Sequence, residues 1–450
     1  MCALAGCGGS APPAAPAPAH VARRRPDPAL APAHVPTVSP PSLTRISTPS
    51  PDGLAALQAD LAHEMRLAGP ASGAVVYDFT AERLLFAVHA NTPRPPASVE
   101  KLYTSTAALA LLGPTTQLST TVLGSGSLGA DGTWHGDLYL HGGGDPTLGS
   151  RAFNAIYADG QGAVIDTLAE RVRAAGIRRV TGHVIADESL FDSQRGPVAT
   201  GGLPDLDDLG GQLSALTYNH GYVGPPPKHG WHAPLTPATY AALEFTRALG
   251  RAGVIAQPAQ TARMTPDGAQ LLASIDSPPL SELLKLMNRP SDDFYAELLL
   301  KQLGVRFGGA GTSAAGAAVV SRVLAGYGLH PRILDGSGLS HEDATTPRDV
   351  VQLLVDLTPT ANGAVLRDSL AVAGENGTLE TRMGHSMATG RCQGKTGTLD
   401  GVTNLAGWCR DRSGHLIVFA FFMDGVSDTV GHSLQDNMVI TIARDDPSRP

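Results

Sequence analysis

Ile417-Val418-Phe419-Ala420-Phe421-Phe422-Met423 is an unbroken apolar run near the end of the chain. It is too short to cross a bilayer, which takes about 20 such residues. With no polar residue to alternate, the strand it forms must be covered on both faces. It therefore predicts a central strand between two apolar layers. Gln393–Leu399 and Thr403–Arg410 read as strands beside it, and Gly73–Asp78 with Arg83–His89 as a hairpin. Gly53–Leu67, Ser98–Leu112, Leu280–Met287, Phe294–Leu303, Ala314–Tyr327 and Pro347–Leu357 read as helices that could cover them. The class is α/β, an antiparallel sheet flanked by helices.

Between these pieces lies a region of different texture, about residues 118–278. Leu118–Leu123, Trp134–Leu140, Val180–Asp187 and Leu271–Ile275 read as strands, and Ala163–Ala175 and Thr236–Ala252 as helices. Gly196–Pro237 is rich in glycine, proline and histidine and predicts long loops. Residues 52–117 and 279–450 then form one domain, split by an inserted, strand-rich region. Asp52 is the expected cap of the first helix. Residues 8–51, mostly Ala and Pro, cannot bury a core and read as a tether.

Hydrophobic residues make up 42 % of the 450 and charged ones 16 %, with a formal net charge of −8. That composition excludes a largely disordered chain, and the lack of any Lys/Arg-rich run argues against a nucleic-acid binder. No H-E-x-x-H, C-x-x-C or G-x-S-x-G occurs, and the histidines have no metal-ligand spacing, so neither metal nor other cofactor is expected. Gly124–Gly129 fits G-x-G-x-x-G, but Ala130–Trp134 cannot continue as a helix, so it reads as a hairpin turn. Gly394-Lys395-Thr396 lacks the glycine a phosphate loop needs at position 389.

Pro95 and Pro96 end the segment before the second helix, which places Ser98 at the helix start and Lys101 one turn on. A hydroxyl there faces unpaired backbone N–H groups. A deprotonated amine at i+3 could take its proton, which makes a nucleophile beside its base. Taken alone, S-x-x-K is more often a helix cap followed by a solvated lysine. Two distant elements change that: Ser291-Asp292-Asp293, and Lys395-Thr396-Gly397-Thr398. The three occur together, in this order, in serine β-lactamases and penicillin-binding proteins.

With His141–Leu148 (H-G-G-G-D-P-T-L) and Asp335–Ser340 (D-G-S-G-L-S), the chain resembles the D-alanyl-D-alanine carboxypeptidase/endopeptidase family, the class C penicillin-binding proteins, over about Leu54–Val430. Ser98 and Ser291 are 193 residues apart, and Ser291 and Lys395 104, so the insertion of that family is implied as well. The resemblance implies a transpeptidase-like fold and a peptidase acting on peptidoglycan stem peptides that end in D-Ala-D-Ala. β-Lactams would be covalent inhibitors. Ser98 would be the nucleophile, Lys101 its base and Ser291 the proton relay. Lys395, Thr396, Gly397 and Thr398 would bind the substrate carboxylate, the backbone N–H groups of Ser98 and Thr398 would form the oxyanion hole, and Ser337 would belong to an active-site loop.

Asp293 departs from the family's usual asparagine. An ionised carboxylate only accepts hydrogen bonds. Near Lys101 and Lys395 it is expected to stay ionised, which would slow acylation and leave a weakened penicillin- or wall-binding protein as the alternative. A β-lactamase is the other alternative; Glu100, Glu297 and Glu375 are its available deacylating carboxylates.

Cys392 and Cys409 read either as a disulfide of an oxidising compartment or as two buried thiols. Leu4-Ala5-Gly6-Cys7 resembles the lipobox of bacterial lipoproteins, with Cys7 as the lipidation candidate and the preceding signal truncated. An extracytoplasmic, lipid-anchored protein is the expectation.

Overall fold

A computed structural model describes residues 51–205, 207–222, 236–259 and 261–445 of the chain. The segment with Cys2 and Cys7 lies outside them.

Six strands form one antiparallel sheet: β1 (Gly73–Asp78), β2 (Arg83–Val88), β8 (Ala371–Val372), β9 (Cys392–Leu399), β10 (Val402–Arg410) and β11 (Leu416–Asp424), in the order β2-β1-β11-β10-β9-β8. The apolar run forms β11, between β1 and β10. Its alternate residues enter two different cores. Val418, Ala420 and Phe422 face the helices Lys101–Leu112, Leu280–Asn288, Asp293–Leu303 and Pro347–Leu357. Ile417, Phe419, Phe421 and Met423 face Pro51–Leu67 and the C-terminal helix Asp428–Arg444. Each of those seven side chains is at most 1 % exposed, so neither layer can be lost without uncovering the strand.

Residues 119–276 contribute a second sheet with its own core, in the order β6-β5-β4-β3-β7. Its strands are β3 (Ser119–Leu128), β4 (Thr133–His141), β5 (Arg179–Asp187), β6 (Ile255–Pro258) and β7 (Gln270–Asp276). The pairs β4–β5 and β5–β6 are parallel. Helices Ile165–Ala174 and Pro237–Arg251 pack on it. Thr236 caps the latter, accepting from the Thr239 N–H.

Several local expectations are corrected. The first helix begins at Pro51, so Asp52 is inside it and not its cap. Gly124–Leu128 is strand, and the turn falls at Gly129–Gly132, where Gly132 takes φ +83°. The glycine at 124 is needed because the Trp134 ring lies where a side chain would go. The structure adds the helices Arg151–Tyr157, Ala361–Asp368 and Asp428–Arg444 and the strand β6, none of which is among the elements expected from the sequence.

Cys392 and Cys409 face each other across β9 and β10 and are joined by a disulfide, with Cα atoms 4.0 Å apart. This decides between the two readings of that pair. Closing a loop of this size is worth about 3 kcal/mol in chain entropy. The double substitution Cys392→Ala/Cys409→Ala should therefore lower the melting temperature, and reductant should bring the native protein to the same value without affecting the variant.

Candidate active site

The prolines do their expected work, but the turn after them is tighter than an α-helix. Ala97–Glu100 is a 3-10 turn, and the α-helix begins at Lys101. Ser98 thus lies in the turn and not in the first α-helical turn. Ala97 has φ +48°, a conformation costly for a residue with a side chain. Asn404 of β10 holds the segment in place: its Nδ2 donates to the carbonyls of Pro95 and Pro96, both at 2.9 Å.

Lys101 is fully buried. Its Nζ lies 2.8 Å from Ser98 Oγ and 2.8 Å from the Ser337 carbonyl, and it forms an ion pair with Asp293 Oδ1. The three partners come from three distant stretches of chain. An ammonium has three N–H donors, and here each has an acceptor.

A second lysine–serine pair stands beside the first. Lys395, also buried, donates to Ser291 Oγ at 2.7 Å and to the Thr396 carbonyl at 2.9 Å. Burial lowers the Lys395 pKa well below that of a free lysine, the charge on Lys101 adds to this, and Asp293 opposes it. Ser291 has φ +66°, and the helix after it is capped by Asp292, whose Oδ1 accepts from the Tyr295 N–H at 2.9 Å. Neither Ser291 nor Asp293 is the cap. Asp293 is the first residue of that helix, and its side chain turns to Lys101.

The expectation that opposite charge would hold Asp293 low is overturned. Its side chain is only 12 % exposed. Desolvation raises its pKa above the ordinary carboxylate value, outweighing Lys101 and Lys395, which pull it down.

Strand β8 pairs only with Gln393 and Gly394, so among the described residues β9 is an open edge from Lys395 onward. Gly397 lets this strand abut the Ser98 turn: an added Cβ would lie 2.7 Å from the Pro96 carbonyl and 3.1 Å from the Ser98 nitrogen. Thr398, exposed, lines a cavity of about 700 Å³ together with Ser98 and Asp293. Thr396 is buried, and its hydroxyl donates to Thr378 Oγ1 at 2.9 Å. Thr378 was not read from the sequence. Nor were Asp205, Asp207, Asp208 and Asp400, which make the cavity rim acidic; the signal was the acidic cluster inside the loop-rich stretch.

Ser337 enters the site through its carbonyl, while its hydroxyl donates to Glu297 at 2.6 Å. Glu297 also accepts from the Gly336 and Ser337 N–H groups, which ties the 335–340 loop to the helix below. Of the carboxylates weighed for deacylation, Glu100 and Glu297 are fully buried and Glu375 is exposed outside the cavity lining. Asp343, buried beside Asp335 and Glu297, has its pKa raised to about 9.

Two predictions arise here. Gly397→Ala should push β9 off the Ser98 turn and slow acylation of Ser98 roughly 100-fold, the usual cost of a misplaced reacting group, with little change in melting temperature. Asp343 has a folded pKa far above its unfolded value, so the neutral form favours folding and this contribution is lost as pH rises toward 9. An amide has no charge to desolvate. Asp343→Asn should match the native melting temperature near pH 4 and exceed it increasingly up to pH 9.

The sequence matches the D-Ala-D-Ala carboxypeptidase 3 (S13) family over residues 54–202 and 226–445. A D-alanyl-D-alanine carboxypeptidase of Actinomadura sp. (strain R39) is 29 % identical over 84 % of this chain and 82 % of its own. A carboxypeptidase of Mycobacterium tuberculosis is 30 % identical, covering 83 % and 80 %. Among solved structures, penicillin-binding protein 4 of Haemophilus influenzae superposes with a TM-score of 0.70 at 20 % identity, over 84 % of this chain and 97 % of that one. A predatory peptidoglycan endopeptidase from Bdellovibrio bacteriovorus gives 0.51 at 18 %, over 79 % and 86 %.

Proposed function

The chain belongs to the D-Ala-D-Ala carboxypeptidase 3 (S13) family, and from that premise we propose that it is a serine-type carboxypeptidase acting on peptidoglycan stem peptides ending in D-Ala-D-Ala. The observation that carries the reading is the contact between Lys101 Nζ and Ser98 Oγ at 2.8 Å, at the floor of a cavity bordered by an open strand edge. The substrate lies extended along β9, as a peptide adds to a free sheet edge. Ser98 Oγ attacks the carbonyl of the penultimate D-alanine while its proton passes to Lys101. The backbone N–H groups of Ser98 and Thr398 hold the developing oxyanion; one such donor is worth about 3 kcal/mol of barrier. Ser291 delivers a proton to the leaving D-alanine amine, and Lys395 with Thr398 attracts the terminal carboxylate. Water then releases the acyl group.

β-Lactams acylate the same serine. Endopeptidase action on cross-linked stems belongs to the same reading, since the cavity is open beside β9. Of the glutamates weighed for a β-lactamase's water activation, Glu297 is occupied by three donors, Glu100 is shut in the interior and Glu375 lies outside the cavity lining. The reading also puts the protein outside the cytoplasmic membrane, where peptidoglycan is and where a disulfide persists, with Cys7 as the point of lipid attachment.

Incubation with a fluorescent penicillin tests this. The native chain should carry one stable label, Ser98→Ala none, and Lys101→Ala should label at least about 100-fold more slowly, within the range for loss of a general base. Release of D-alanine from a D-Ala-D-Ala pentapeptide should follow the same order. Labelling of Ser98→Ala at the native rate would overturn the proposal, and rapid release of hydrolysed drug would turn it toward a lactamase.

A further inference from the structure

Lys101 can act as a base only with one proton fewer than an ammonium. Its Nζ has three polar neighbours, Ser98 Oγ, the Ser337 carbonyl and Asp293 Oδ1, and as an ammonium it would donate to all three and keep no lone pair for the Ser98 proton. One proton must leave Nζ first. Of the three acceptors, the carbonyl cannot take it and the hydroxyl must itself give one up. Only Asp293 remains.

We propose that Lys101 and Asp293 share one mobile proton, and that its transfer from Nζ to the carboxylate both frees the lysine and makes Asp293 a hydrogen-bond donor toward the substrate. This rests on the reading of the site as a D-Ala-D-Ala peptidase. The transfer converts an ion pair into a neutral amine and a neutral acid. The proton crosses to Oδ1, the oxygen Lys101 holds, and a half-turn of the carboxyl about Cβ–Cγ then carries the O–H to the cavity side, where Asp293 is part of the lining, and brings bare Oδ2 to Nζ. Nζ keeps two N–H groups, for the Ser337 carbonyl and the Asp293 carboxyl, and turns its lone pair to Ser98. From there it donates to a backbone or side-chain amide carbonyl of the substrate, the contact that an asparagine NH₂ would make.

The balance closes. The Nζ–H bond breaks and an O–H bond forms on Asp293. Then the Ser98 O–H breaks as Oγ bonds to the acyl carbon, and its proton goes to Nζ. One proton then reaches the departing nitrogen by way of Ser291, and the pair again holds one. Burial favours the neutral carboxyl, in keeping with the upward shift at Asp293. The charged groups bearing on the pair are Lys395 from β9, Asp335 from the 335–340 loop, Glu100 from the turn before Lys101, and Asp292 at the head of the same helix.

The test is the pH dependence of acylation by benzylpenicillin for the native enzyme and Asp293→Asn. The singly protonated pair is the working form. The native rate should fall at low pH, where the pair holds two protons, and again at high pH, where it holds none. Asparagine does not titrate and keeps donating, so the variant should lose the alkaline fall that belongs to the pair and keep only the fall that discharge of Lys395 imposes on both proteins. Profiles of identical shape would overturn the proposal. Absence of acylation in both proteins at every pH would overturn the functional reading itself.

A second measurement needs only the native enzyme. 6-Aminopenicillanic acid lacks the side-chain amide carbonyl that the Asp293 hydroxyl would meet. The preference for benzylpenicillin over it should be about tenfold at low pH, one hydrogen bond's worth, and shrink as pH rises through the alkaline limb. A preference independent of pH would overturn the donor role.

Discussion

A buried ammonium is the point on which the rest of this molecule closes. Lys101 is removed from water, and such a charge is tolerable only when its donors are met and a counter-charge is near. Meeting them requires Ser98, Asp293 and the Ser337 carbonyl to converge. The 3-10 turn, the helix that starts at Asp293 and the 335–340 loop are therefore fixed relative to one another by one side chain. Removing a partner would leave charge uncompensated in the interior, so catalytic geometry and local stability are the same requirement here.

The double-sided sheet makes that convergence possible. β11 is covered on both faces, which pins β10 and β9 beside it. Asn404 then reaches from β10 to the carbonyls of Pro95 and Pro96, and Gly397 lets β9 lie against the Ser98 nitrogen without a side chain between them. Two of the nine non-glycine residues with positive φ among the described residues, Ala97 and Ser291, lie in this convergence. Such conformations persist where surrounding packing over-determines them. The disulfide holds the far end of β9, opposite the end that faces the cavity.

The site elements were legible because each carries a local chemical signature: Ser98–Lys101 after two prolines, Ser291–Asp293 before a helix, Lys395–Thr398 in a strand. The rim was not. Asp205, Asp207 and Asp208 lie in a loop with no periodicity, and only the folded chain brings them to the cavity of Ser98. Thr378 and Asn404 are ordinary residues in sequence whose roles depend on what they touch. The Gly124–Leu128 stretch failed for a related reason. Glycine is used there to admit the Trp134 ring, and composition cannot distinguish that from a turn.

Asp293 marks the boundary most clearly. Sequence alone identified it as a carboxylate where an amide is usual, among two lysines, and from charge alone concluded that it stays ionised. The folded protein reverses the sign, because burial acts on the carboxylate more strongly than its cationic neighbours do. Residue order decides which groups are available and which strands and helices carry them, since those follow from local sterics and from the spacing of apolar side chains. Solvent exclusion and the number of acceptors around one nitrogen belong to no single stretch of chain; they exist only once distant segments have packed.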